Sequence, residues 1–292
     1  MRATSRKPVD YLVIGHLTKD RRAGSCSLGG TVAYAGLAAH ALGCRVAVLT
    51  AAAGDLDLRE VTAALEVSCR PSRRTTILET LAGAGGRRRQ RLVARAEVLL
   101  AEDLPAAWRQ PRIVHFGPIA DEVDPGLVGC FRSPALRAMT PQGWLRWWDE
   151  DGVIRRRPWR HVEPLLGAAD AVVLSLEDLG GDEAAAEEMA AACPVLAVTA
   201  GAGATRVYSE GREQRFVPPP VREVDSTGAG DVFAAAFFHC FADTGDPWHA
   251  SVFATRLAAA STTRSGLAGV PVPAEIEAAR RGLPAAAERQ DP

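Results

Sequence analysis

"DSTGAGDVFAAAFFHCF" occupies residues 225–241 and joins two kinds of sequence. The first half is a turn of small residues with an acid at each end, Asp225 and Asp231. The second half, 232–241, is apolar at nearly every position. A helix made from it is greasy on every side and must run through a core. Glycines let the backbone turn tightly and let an anion come close. The first N–H groups of a helix have no internal partner, and the helix dipole adds partial positive charge there. Gly228, Ala229 and Gly230 therefore offer a backbone anion hole that needs no lysine. Asp231 stands in the first turn beside it, where a carboxylate can take the proton of a hydroxyl attacking a phosphate. Read alone, G-x-G-D is more simply an acid near a helix start with glycine as punctuation. The rest of the chain has to decide between the two.

Outward from the motif, composition sets bounds. The chain has 292 residues, 47% of them hydrophobic, enough for one large core or one domain with a small appendage. A formal net charge of −1 gives no global attraction to nucleic acid or an acidic membrane. No apolar run reaches the length of a membrane span, and the start, MRATSRKPVDYLVIG, reads as a basic tail entering a strand rather than a signal peptide. The six cysteines are irregularly spaced with no C-x-x-C, which fits free thiols in a reducing cytoplasm. Lys7 and Lys19 are the only lysines, and no G-K-[ST] occurs, so a Walker-A loop is excluded.

Short apolar runs at 11–15, 45–50, 112–116, 171–174 and 195–199 read as buried parallel strands. Helical segments at 31–42 and 182–192 lie between some of them. That alternation predicts an α/β sheet with helices on both faces and a ligand site at the carboxyl ends of the strands. Residues 17–28 and 72–97 break the pattern. They are polar, arginine-rich and partly alternating, and they read as a small β-sheet lid whose turn lies at "GAGG", 83–86. No repeat or long linker divides the chain, so residues 1–292 are expected to form a single α/β domain with inserted lid segments, ending in a frayed tail, AAAERQDP. The arginine runs at 87–91 and 154–160 fit charged edge strands better than a nucleic-acid patch.

With these features in place, "DSTGAGDVFAAAFF" resembles the C-terminal signature of the ribokinase-like, or PfkB, carbohydrate kinases, with Ser226 in place of a threonine. "LGGTVAYAGLAAHALG", 28–43, is similar to that family's N-terminal di-glycine signature, with Gly29 and Gly30 in place and Tyr34 where an asparagine is common. "AVTAGAGATRVY", 197–208, resembles its nucleotide-side strand and turn, and "LSLEDL", 174–179, stands where the family has N-x-x-E. The resemblance implies a three-layer αβα fold with a mainly parallel sheet plus a lid. It also implies transfer of the γ-phosphoryl group of ATP to a hydroxyl of a small polyol, sugar or nucleoside. Asp231 would be the base and Gly228, Ala229 and Gly230 the anion hole. Thr199, Gly201, Gly203, Thr227 and Gly266 would lie on the nucleotide side, with adenine against 255–270. Ser175 and Asp178 would organise Mg2+, through water. Asp225 would stand near a monovalent cation such as K+.

On the substrate side the resemblance points to Asp20, Gly29 and Gly30. Asp20 suits a vicinal diol, because a carboxylate accepts two hydrogen bonds. G-H-x-x-x-D at 15–20, R-T-T at 74–76 and Q-G-[aromatic]-x-R at 142–146 are together similar to the myo-inositol kinase branch, adding Arg74, Thr76 and Gln142. Whether Gln142 and Arg146 reach the substrate or only hold a turn stays open, and Trp144, Trp147 and Trp148 read as packing. Dimerisation is common in that family, and a homodimer through the lid is the arrangement the resemblance implies here. Other sugars or nucleosides are alternative substrates, and a non-catalytic metabolite sensor on the same fold is an alternative of another class. A dinucleotide oxidoreductase is disfavoured, since "TAGAGATR" lacks the third glycine of G-x-G-x-x-G.

Overall fold

The computed structural model of the protein describes residues 8–22, 24–82, 88–132 and 135–281. The expected turn at 83–86 and the tail at 285–292 lie outside the described residues. The N-terminal half runs β1 (Tyr11–Ile14), β2 (Thr18–Arg22), β3 (Ser25–Gly29), α1 (Thr31–Ala41), β4 (Val46–Ala52), α2 (Arg59–Thr62), β5 (Glu66–Pro71), β6 (Thr76–Ala82), β7 (Arg88–Ala94) and β8 (Ile113–Phe116). Then follow β9 (Leu136–Met139), β10 (Arg146–Trp148), β11 (Ile154–Arg156), α3 (Glu163–Leu166), β12 (Ala171–Ser175), α4 (Glu183–Ala190) and β13 (Val195–Thr199). The chain continues through β14 (Thr205–Ser209), β15 (Arg212–Phe216), α5 (Ala229–Thr244), α6 (Pro247–Ser261) and α7 (Pro273–Arg281).

Nine strands form the main sheet in the order β15-β14-β13-β12-β9-β8-β1-β4-β5. It is parallel from β13 to β5 and antiparallel at the β13-β14-β15 end. Strand β1 explains the layering. Tyr11 and Val13 face one apolar cluster, with residues of α1, α5, α6 and α7, while Leu12 and Ile14 face the other, with residues of α3 and α4. A parallel strand buried on both faces has to be apolar at every position, which is why these strands read as continuous hydrophobic runs. The fold is thus three-layered, as the sequence predicts. The strands it did not reveal are short or polar: β9 is four residues, and β15, REQRF, is almost wholly exposed.

Helix α5 begins three residues earlier than expected and ends three later. Val232–Phe238 is buried without interruption. The Phe233 and Phe237 rings stack at 5.9 Å and Phe237 and Phe241 at 6.0 Å, while Phe238 meets the His115 ring edge-on at 5.0 Å. Burial pushes His115 down to about 3, so it sits neutral between the Tyr11 and Thr140 hydroxyls.

The segments set apart as a lid form a separate four-stranded sheet, β3-β2-β6-β7, antiparallel except for the parallel β2-β6 pair. Its hinge with the main sheet is the buried His16, just after β1. Nε2–H donates to the Glu97 carbonyl (2.9 Å), which leaves Nδ1 to accept from the Thr76 hydroxyl (2.7 Å). Burial holds this ring below its ordinary pKa, consistent with the neutral form. The arginines of 154–160 are spoken for: Arg155 pairs with Asp149, Arg157 with Asp121 and Arg160 with Glu188, and Arg156 donates to the Leu179 carbonyl. A run so neutralised presents no basic stripe to a phosphate backbone.

Candidate active site

The carboxyl ends of β12 and β13, the N-terminal ends of α1 and α5, and the underside of the lid enclose a cavity of about 260 Å3. Helix α5 contributes Gly228, Gly230 and Asp231, and α1 contributes Gly30, Thr31 and Tyr34. The lid contributes Asp20, Leu78 and Gln90. The opposite wall carries Gln142, Arg146, Ser175 and Asp178. Residues that the sequence scatters over more than two hundred positions thus meet at one point.

The mount of the anion hole has a strict local requirement. Gly228, the N-cap of α5, has φ +79°, and a Cβ there would lie 2.1 Å from the Tyr34 ring. Glycine is needed both for the backbone angle and for the ring's approach. The Ala229 N–H turns back to the Ser226 carbonyl (3.2 Å), and Ala229 does not line the cavity, whereas Gly228 and Gly230 do. Beside them the Asp231 carboxyl is pushed up to about 7, first by loss of water. The Asp178 and Asp20 carboxylates push the same way, and the Thr31 hydroxyl and Arg146 oppose them. Part of Asp231 faces the cavity, yet the protein around it removes most of its hydration. A carboxylate titrating near neutrality is matched to taking a proton from an alcohol at physiological pH.

Asp20 reaches the cavity from β2. Its Oδ1 accepts from the Thr18 hydroxyl (2.7 Å), and Gly29, which pairs with Thr18 across the sheet and so stands diagonal to Asp20, leaves the room it needs: a Cβ on Gly29 would lie 2.1 Å from Asp20 Oδ2. Burial raises the Asp20 pKa, against the Thr18 hydroxyl and Arg146. Gly30, at φ +92°, packs on the His16 carbonyl and caps α1. Arg146 is the one cation lining the cavity among the described residues, and one of its N–H groups donates to the Ile119 carbonyl (3.3 Å). Of the two roles open to it, the lining puts it in the same cavity as Asp20. Trp144 is packing, with its indole N–H on the Val123 carbonyl (2.9 Å).

Ser175 and Asp178 form a closed turn. Asp178 Oδ2 accepts the Ser175 N–H (3.0 Å), Oδ1 accepts the Gln142 amide (2.9 Å), and the Ser175 hydroxyl accepts the Glu177 N–H (3.0 Å). Gln142 is thereby tied to Asp178 as well as lining the cavity. Each Asp178 oxygen keeps lone-pair capacity toward the cavity, which suits a hydrated Mg2+. Among the described residues no three His, Cys, Asp or Glu side chains converge to bind a metal directly.

The side where the resemblance puts the nucleotide is more open. Thr199 and Thr227 line the cavity, while Gly201 (φ +59°) and Gly203 lie on an exposed turn after β13. Gly266 is drawn to the motif, donating its N–H to Asp225 Oδ2 (3.1 Å). Val224, 61% exposed, is bonded through its N–H to the Thr262 carbonyl, so apolar surface does border the 255–270 segment. On the lid side Arg74 and Thr76 do not line the cavity either. Thr76 is fully buried, its hydroxyl taken by His16 and the Ala96 N–H (3.0 Å), and Arg74 is exposed on the approach to β6. The R-T-T stretch anchors the lid hinge: Thr75 donates to Asp55 and accepts the Ala53 N–H.

With this geometry in hand, the sequence pattern of "pfkB family carbohydrate kinase" matches residues 158–275, which include the whole of the α5 motif. Residues 158–275 thus carry the pattern of the PfkB family. Ribokinase of Bacillus subtilis (strain 168) is 40% identical over 84 residues, a match that spans 28% of this chain and 28% of that relative. Among solved structures, a pyrophosphate-dependent kinase in the ribokinase family in complex with sulfate superposes with a TM-score of 0.78 at 21% identity. That match covers 92% of this chain and 99% of the other. A fructokinase with bound ATP from Xylella fastidiosa gives 0.74 at 18% identity over 93% and 98%, and ribokinase from Thermotoga maritima 0.70 at 19% over 94% and 100%. These likenesses show the ribokinase-like fold.

Proposed function

We propose that this protein is a PfkB-family kinase that uses ATP to phosphorylate a hydroxyl of a small polyol or sugar, with myo-inositol the favoured acceptor. The observation that carries this reading is the meeting of Asp231, Gly228, Gly230, Asp20 and Arg146 in the lining of one cavity. Its volume of about 260 Å3 lies below the roughly 300–1,000 Å3 of drug-sized pockets. That suits a single sugar or cyclitol ring better than a nucleoside. An acceptor with hydroxyls all round its ring can donate to Asp20 and accept from Arg146 at once. Solved relatives include pyrophosphate-dependent kinases bound to or acting on myo-inositol, at 21% identity.

In this reading the acceptor hydroxyl lies against Asp231, which removes its proton as the phosphoryl group arrives. The Gly228 and Gly230 end of α5 receives the charge of the transferred group. Mg2+ bound with the donor would be held through water by Asp178 and Ser175 and would neutralise phosphate charge. The lid shields the reacting atoms from water. A second reading replaces ATP by pyrophosphate, since three of the structural relatives use it. An intact Gly228-Ala229-Gly230-Asp231 favours either over a non-catalytic sensor. A matrix of donors (ATP, ADP, pyrophosphate) against acceptors (myo-inositol, ribose, fructose, adenosine) tests all of this, with phosphorylated product followed by mass spectrometry. Turnover of myo-inositol with ATP is expected to exceed the other acceptors at least tenfold. Preference for pyrophosphate selects the second reading, preference for adenosine overturns the acceptor class, and no product in any cell overturns the kinase reading.

A further inference from the structure

Asp225 opens the phosphate-binding turn, at the point where the family resemblance puts a monovalent cation. Its carboxylate is already engaged by this chain. Oδ1 accepts from the Thr227 N–H (3.1 Å) and the Thr227 hydroxyl (2.7 Å). Oδ2 accepts from the Gly266 N–H (3.1 Å) and the Ser265 hydroxyl (3.3 Å). Two carboxylate oxygens offer about four acceptor sites, so these donors use the set. Burial alone would raise this carboxyl, but those hydrogen bonds hold it below its ordinary pKa, so it is a fixed anion. A positive charge stands beside it too: Arg22 Nη1 lies 3.8 Å from Oδ1. Asp225 is only 15% exposed there, and Arg22 53%.

The source of that charge matters. Arg22 is the last residue of β2, the strand that also sends Asp20 into the cavity. One lid strand therefore delivers a carboxylate to the acceptor side and a guanidinium to the donor-side turn. We propose that Arg22 stands in for the monovalent cation at Asp225, so that positive charge beside the phosphate-binding turn is supplied by the lid and the site works without K+. Asp225 does not fit the group as a free ligand, because protein donors already fill its acceptor sites and a guanidinium balances its charge. The consequence is a coupling: seating the lid over the acceptor also charges the donor turn. This rests on the kinase reading only for what the turn binds; the replacement of the cation stands on the geometry alone.

The test therefore uses a readout that needs no turnover. Thermal unfolding of the full chain is measured in KCl and in tetramethylammonium chloride at equal ionic strength. The set comprises wild type, Arg22→Gln, and Arg21→Gln as a charge-matched control on the same strand. Wild type and Arg21→Gln are expected to melt within about 1 °C of themselves in the two salts. Arg22→Gln is expected to melt lower in tetramethylammonium and to recover by several degrees in K+. Selective stabilisation of wild type by K+ would overturn the proposal, and so would an Arg22→Gln protein indifferent to the cation. In the donor–acceptor matrix, wild-type turnover is expected to change less than twofold on replacing K+. A protein that turns over nothing there but behaves as expected in the melts loses the kinase reading and keeps this inference.

Discussion

Helix α5 and the lid face each other across one cavity and are built on opposite rules. Residues 232–238 of α5 are buried without a break, so its first turn is fixed by close packing against the sheet. The lid has only a small apolar cluster, Leu78 and Leu92 on Ile119 and Ala120, and is otherwise held by polar contacts: Arg91 on Glu79, Lys19 on Asp55, and Arg22 on Asp225. Exposed pairs of this kind are each worth about 0–1 kcal/mol. Proton abstraction and charge stabilisation tolerate little displacement, and the groups proposed for them sit on the rigid element. Acceptor recognition has to admit and release a ligand, and Asp20 sits on the softer one. Damage to the α5 turn should therefore appear in kcat, and damage to the lid in KM.

Asp231→Asn should break the comparison hardest. Removing a positioned base costs about 10²–10⁴ in rate, so kcat should fall at least a hundredfold while donor binding, followed by calorimetry, stays within a few-fold. In wild type, kcat/KM should rise with pH through about 7, where Asp231 loses its proton. The same shift acts on stability with the opposite sign. The folded pKa lies above the ordinary carboxylate value, so the proton favours folding. That contribution is complete below about pH 4, declines as pH rises, and is gone above about 7. The neutral asparagine avoids the cost of the ionised form. Asp231→Asn should thus be more stable than wild type at pH 8, by on the order of 2–4 kcal/mol, and about equal at pH 4. Loss of activity without a gain in alkaline stability would mean that Asp231 is not a desolvated carboxyl.

Gly228→Ala attacks the mount itself. The added methyl meets the Tyr34 ring at 2.1 Å, and the φ of +79° strains any residue but glycine. Strain of this kind costs about 1–3 kcal/mol, and a displaced anion hole about 10²-fold in kcat. The Gly228→Ala, Tyr34→Ala double variant should recover part of the stability, because the clash goes, but not the part due to the backbone angle. Full recovery, or none, would refute that division.

What the sequence revealed follows the same division. The α5 turn was legible because its demands fall on consecutive residues: glycine at 228 and 230, an acid at 231, then apolar side chains with no polar face. The buried strands were legible because parallel pairing covers both sides. Assignments on the substrate side came through less evenly. Gly29 and Asp20 are far enough apart in sequence to look independent, and only the β2-β3 register makes one the space for the other. Thr76 looked like a ligand because a buried hydroxyl and a substrate-facing one have the same sequence signature. Its engagement by His16 depends on a contact sixty residues away. Arg146 is one of 32 arginines, and nothing local marks it as the one lining the cavity.

Asp20→Asn probes the lid side more gently. The amide keeps an oxygen for the Thr18 hydroxyl but loses half of its acceptor capacity and its charge. The acceptor KM is expected to rise about ten- to a hundredfold, the worth of one charge-assisted hydrogen bond or two, with kcat and melting temperature little changed. A kcat loss as large as that of Asp231→Asn would place Asp20 in the chemical step and erase the distinction between the two elements.

The finest test lies where α1 meets α5. The Thr31 hydroxyl, at the start of α1, opposes the rise of the Asp231 pKa by hydrogen bonding to its ionised form, while its methyl group packs on Gly117. Thr31→Val removes the hydroxyl and keeps the shape. The ionised carboxylate loses a donor, so the midpoint of the kcat/KM profile should move to higher pH, by about half a unit to one unit. Rates well above the new midpoint should approach those of wild type, because geometry is preserved and only the proton equilibrium has moved. A lowered plateau with an unmoved midpoint would mean that Thr31 touches the substrate instead. The tuning of the base would then rest on burial and the neighbouring carboxylates alone.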